Sequence, residues 1–153
     1  MSNEDLEVLV GEITLSYTSQ IRISSRPILK DAECVYQVFL QTWDISKIEL
    51  LEQFRVMLLN RANRVLGICT LTSGNVTGTI ADPKQVFAVA LKANAVNVII
   101  AHNHPSGCLN PSKADEELTR KMKLAGEYLD IKVIDHLIVT TEGYFSFADE
   151  GLI

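Results

Sequence analysis

His102 and His104, followed by Asp115 in the run HNHPSGCLNPSKAD, have the ligand types and spacing of a zinc site with one coordination position left open. On an extended backbone residues i and i+2 project from one face, so both imidazoles can be directed at a single ion. A carboxylate from a separate element would supply the third ligand. Two imidazoles and one carboxylate leave the fourth tetrahedral position to water, which distinguishes a catalytic zinc from a closed structural one and points to hydrolysis.

The elements that must position these groups can be read on either side of them. Residues 96–102 are short, β-branched and almost wholly apolar, which suits a central strand buried on both faces, and the histidines sit where that strand runs out. After a loop containing Pro105, Gly107 and Pro111, Ser112 opens a helix running to about Leu129, with Leu118, Met122 and Tyr128 among its inward candidates. Asp115 falls in the first turn of that helix, and the loop is long enough to fold the turn back over the histidines. Plainer readings stand beside this one. A lone HxH is common without metal, Asp115 fits the N3 acid of a capping box opened by Ser112, and the prolines punctuate loops in any protein.

Residues 8–17 and 20–23 carry alternating apolar and β-branched side chains and read as strands. Over 31–43, Val35, Val38, Phe39 and Trp43 recur at helical intervals. Phe54, Val56, Leu58 and Leu59 lead through the polar segment Asn60-Arg61-Ala62-Asn63-Arg64 into 65–72, the pattern of a hairpin. Asp82-Pro83 supplies a cap and a first-turn proline for a helix whose apolar face is Val86, Phe87, Ala90 and Leu91. Residues 131–140 and 144–147 finish as strands around Glu142-Gly143. Helices and strands alternate, so the class is α/β or α+β with a central mixed sheet. At 153 residues the whole chain fits one domain.

Hydrophobic residues make up 47% and charged residues 22%, which excludes a disordered chain. The net charge of -5 argues against direct nucleic-acid binding, and the short cluster Arg120, Lys121 and Lys123 has the spacing of a solvated helix face. Cys34, Cys69 and Cys108 are an odd number in separated places, and no leader-like segment opens the sequence, so a reducing cytoplasm is the expected home. The longest apolar stretch, 96–101, falls well short of the roughly 20 residues that cross a bilayer, so no membrane association is expected.

His102-x-His104-Pro105, six residues, Ser112, two residues and Asp115 match without a gap the HxHPx6SxxD pattern of the JAMM (MPN-type) metalloproteases. The longer string, with Asp135-His136 and then Tyr144, Ser146 and Phe147, resembles the RadC-like branch of that superfamily from about Ile13 onward. The resemblance implies an MPN/JAMM-type domain of deaminase-like architecture, and the branch's name implies an association with DNA repair rather than a chemistry. Longer members carry an N-terminal helix-hairpin-helix region that is not expected in this sequence, so DNA affinity supplied by that region is not carried over.

The resemblance further implies one zinc ion held by His102, His104 and Asp115, and a glutamate ahead of the histidines, for which Glu52 in Glu52-Gln53-Phe54 is the match and Glu49 the rival. Read without the resemblance, Glu52 is a solvated strand-edge residue. The implied mechanism has Glu52 taking a proton from the zinc-bound water and passing it to a leaving amine, with Ser112 and the ion stabilising the oxyanion. The expected substrate is a peptide or isopeptide bond of a protein. Asn103 and Ser106 read as holding the ligand loop, and Cys108 as unneeded by a complete ligand set. A buried structural histidine is the expected role of His136, ahead of a second metal site. The alternative to an enzyme is a non-catalytic binding module braced by its metal. Base deamination is not expected, because the HxE…PCxxC signature of zinc deaminases is absent.

Overall fold

A computed structural model describes Gly11, Thr14 and residues 16–74 and 81–153. Gln53–Leu59 forms β1, a strand buried along its entire length, and Val65–Ser73 forms β2, antiparallel to it. The turn between them is built by Asn60, whose side-chain oxygen accepts the N–H groups of Ala62 and Arg64, and by Asn63, which takes the left-handed conformation that asparagine tolerates. Asn97–Asn103 is β3, Lys132–Val139 is β4 and Tyr144–Ser146 is β5. The sheet order is β2-β1-β3-β4-β5, with β3 and β4 parallel and the other neighbours antiparallel. β3 is therefore the central strand, as its almost wholly apolar run predicts.

Helices cover both faces. Ala32–Thr42 is α1, begun by Asp31, whose carboxylate accepts the Cys34 N–H, and Ile45–Ile48 is the short α2. Pro83–Lys92 is α3, begun by the expected Asp82 cap and proline, and Lys113–Tyr128 is α4. The period of two in the strands divides the core cleanly. Phe54, Val56, Leu58, Val98 and Ile100 face α3 and α4 through Val86, Phe87, Ala90 and Met122. Met57, Leu59, Ile99, Ala101 and Leu137 face α1 and α2 through Val35, Phe39, Trp43 and Ile48. The class is α+β around a mixed sheet.

Two expectations need correction, and a third falls mostly outside the described residues. Residues 20–23 form no strand; Ile23–Ser25 is a 3-10 turn, and Ile21 and Ile23 are largely exposed, so alternation there has no neighbouring strand to make it a ladder. The strand expected over 8–17 lies mostly outside the described residues, and Ser16 and Tyr17 at its end are not in a strand. Tyr128 and Leu91 point outward, 84% and 54% exposed, because the buried stripe of α4 runs Thr119, Met122 and Gly126 and that of α3 ends at Ala90. No helix among the described residues is long and apolar enough to cross a membrane.

Candidate metal centre

The end of β3 carries its side chains to opposite sides. His102, 3% exposed, lies across from Phe54 of β1 and shares the α4 face with Val98 and Ile100. His104, one residue beyond the strand, is held by its N–H to the Val139 carbonyl and by Nδ1 at 2.6 Å from the Cys108 carbonyl. The two Nε2 atoms then meet 3.0 Å apart, as the i, i+2 spacing predicts. Asp115 brings one carboxylate oxygen to 3.3 Å from His102 Nε2 and the other to 3.7 Å from His104 Nε2.

Asp115 is also the N3 residue of a capping box. Its carboxylate accepts the Ser112 N–H at 2.7 Å, and the Ser112 hydroxyl oxygen accepts the Asp115 N–H at 3.1 Å. The cap is thus what fixes the carboxylate against the histidines.

Glu52 joins the group from the residue before β1; its carboxylate and one nitrogen each of His102 and His104 all lie within 4.8 Å of one another. Asn103 explains how. Pointing away from the histidines and completely buried, it accepts the Gln53 N–H at 2.7 Å and donates to the carbonyls of Ile48 and Leu51. The Glu52 carbonyl accepts the Gly74 N–H on the far side. The segment carrying Glu52 is thus fastened to the strand carrying the histidines. Glu49, the rival, accepts a hydrogen bond from the Thr141 hydroxyl instead.

The charges follow the geometry. Burial opposes ionisation of Asp115, but hydrogen bonds that the imidazolium forms of His102 and His104 donate to it outweigh that burial and hold the carboxyl well below the usual carboxylate range. The hydrogen bond to Asp115 raises the pKa of His104, against the effect of partial burial. His136, fully buried and stacked on Phe147 with ring centroids 4.6 Å apart, is pushed well below the ordinary histidine value by that burial.

The donors fit a divalent cation. A carbonyl can only accept, so the contact to Cys108 places the proton of neutral His104 on Nδ1 and leaves a lone pair on Nε2. That lone pair faces His102 Nε2 and the Asp115 oxygens, so the atoms that converge are of the kind a cation accepts. His and carboxylate ligands suit zinc, which accepts a tetrahedral set of this kind. Glu52 and His104 also line a cavity of about 460 Å³ with Leu50, Leu51, Pro105 and Cys108, so these two members of the group border open space.

Of the residues singled out in the sequence, His102, His104, Asp115 and Glu52 are brought together, and Ser112 stands beside them as the exposed cap of α4. The Ser106 hydroxyl accepts the Cys108 N–H within the loop, and Cys108 touches the centre through its carbonyl, not its thiol. Asn103 holds the Glu52 segment rather than the ligand loop. Thr119 was not foreseen; its hydroxyl lies 2.6 Å from His136 Nδ1, and the only trace in the sequence is its position one helical turn after Asp115.

The model of the RadC-like JAB domain family matches residues 29–152. A UPF0758 protein of Flavobacterium johnsoniae is 50% identical over 101 residues, which cover 66% of this chain and 44% of that protein. UPF0758 proteins of Thermotoga maritima and Rubrobacter xylanophilus are 45% and 42% identical, over 65% and 67% of this chain and 45% and 44% of their own lengths. The chain thus matches less than half the length of these relatives.

Proposed function

The chain belongs to the family of RadC-like JAB domains, and from that membership and the convergent donors we propose that it is a zinc-dependent metallohydrolase cleaving a peptide or isopeptide bond. His102, His104 and Asp115 hold the ion in this reading. The observation that carries it is the meeting of two imidazole Nε2 atoms and a carboxylate beside a second carboxylate, Glu52, at the wall of an open cavity.

What zinc supplies when bound is Lewis acidity: a coordinated water with its pKa lowered to roughly 7 and a polarised scissile carbonyl. Glu52 takes the proton of the attacking water and returns it to the leaving nitrogen, a role its placement near both histidines allows. The Ser112 hydroxyl, whose oxygen accepts the Asp115 N–H, keeps its own proton to donate to the developing oxyanion, worth about 3 kcal/mol for one good donor. Asn103 keeps Glu52 in register with the histidines, and Leu50, Leu51 and Pro105 give the substrate an apolar wall.

The test is mass-spectrometric readout of cleavage across a diverse peptide and isopeptide library by zinc-loaded wild type and Glu52→Gln. Cleavage by wild type alone supports the hydrolase and the base. Equal cleavage by both removes Glu52 from the mechanism, and cleavage by neither, with zinc bound, makes the metal the brace of a binding module.

A further inference from the structure

A chain of hydrogen bonds runs from His102 into the protein and ends on a group whose role is fixed. His102 Nδ1 lies 2.8 Å from His136 Nε2, His136 Nδ1 lies 2.6 Å from the Thr119 hydroxyl, and that hydroxyl lies 2.7 Å from the Asp115 carbonyl oxygen. The carbonyl can only accept, so the single hydroxyl proton of Thr119 goes to it. Thr119 Oγ1 must then accept from His136 Nδ1–H. Neutral His136 therefore has a bare Nε2, which can only accept from His102 Nδ1–H. The proton of His102 is held on Nδ1 and its Nε2 lone pair faces Asp115 and His104.

We infer that His136 and Thr119 are positioning residues that fix the tautomer and ring orientation of His102 for metal binding. His136 is fully buried and Thr119 is 1% exposed, so water does not compete for these bonds. Stacking on Phe147 and an edge contact with Phe54 hold the His136 ring. The relay also closes on the site itself: it starts at one proposed ligand, His102, and ends on the backbone of another, Asp115, joining β3, β4 and α4. Hydrogen bonds of this kind to a ligating histidine raise its basicity, and breaking them costs metal affinity.

The inference rests on His102 being a metal ligand, and zinc binding by the wild type tests that reading separately. The relay is tested by long-range ¹⁵N–¹H correlation of the histidine side chains in the metal-free full chain, at a pH where the rings are neutral, and by zinc affinity in competition with a chelator. Wild type should show His102 as the Nδ1–H tautomer. Thr119→Val should lose that preference and bind zinc about 10- to 100-fold more weakly, whereas Thr119→Ser, which keeps the hydroxyl, should restore both. His102 in the Nε2–H form in wild type would overturn the relay whatever the variants do, as would unchanged zinc affinity in a folded Thr119→Val. Absence of zinc binding in wild type would instead remove the metal site on which the inference stands.

Discussion

The backbone N–H of Gln53 donates to the side-chain oxygen of Asn103 over 2.7 Å, binding the start of β1 to the end of β3. One buried amide thereby sets the position of Glu52 against His102 and His104. Asn103→Ala removes this bond and the two that Asn103 donates to the Ile48 and Leu51 carbonyls, leaving buried groups without partners. The expected loss is about 2–4 kcal/mol of stability by urea unfolding, from about 1–3 kcal/mol for each unsatisfied group with partial relief by water. A loss under about 0.5 kcal/mol, the range of an ordinary surface substitution, would contradict this role.

Gly126 sits where α4 ends against β4 and α3. A Cβ there would overlap the Ile131 carbonyl oxygen and press on the Phe87 ring at 3.3 Å, while the Gly126 carbonyl accepts the N–H groups of Leu129 and Ile131. Alanine is favoured over glycine in a helix interior by about 1 kcal/mol, but overpacking against backbone costs about 1–3 kcal/mol. Gly126→Ala should therefore lower the thermal midpoint. A raised midpoint would mean that the helix end shifts freely.

Zinc affinity should fall as pH is lowered, because protons compete for the imidazoles. The hydrogen bond to Asp115 raises the His104 pKa above 6.5, so the fall should begin above that value, while Asp115 stays ionised throughout. The same shift has a consequence for the metal-free chain. A folded pKa raised above the unfolded value gives stability that is fully present below the unfolded pKa and is lost as pH rises through the folded one. Chelator competition and urea unfolding across that range measure both; affinity that stays flat to about pH 6 would separate His104 from the ion.

The parts of the molecule governed by local pattern were legible in the sequence. The hairpin turn at Asn60 to Arg64, the Asp82-Pro83 helix start, the apolar β3 and the approach of His102 to His104 all follow from short-range chemistry, and they appear as expected. The capping box of Ser112 and Asp115 was visible too, but not that it would itself aim the carboxylate. What was not legible depends on partners distant in the chain. Residues 20–23 alternate like a strand yet have no ladder to join, and α2 is too short to show a period. Asn103 reaches back 50 residues to Gln53, and His136 reaches 34 to His102, contacts fixed only by strand order. Thr119 is one more helical threonine until β4 places His136 beside it.

His102, His104 and Asp115 are proposed to hold a metal beside Glu52. Anomalous diffraction at the zinc edge, from crystals of the zinc-loaded chain, tests this most directly. One peak is expected, bonded to both histidine Nε2 atoms and an Asp115 oxygen at about 2.0–2.2 Å, with Glu52 facing the remaining position. A peak bound through Nδ1 of either histidine or through the Cys108 sulfur, or no peak at this site, would contradict it.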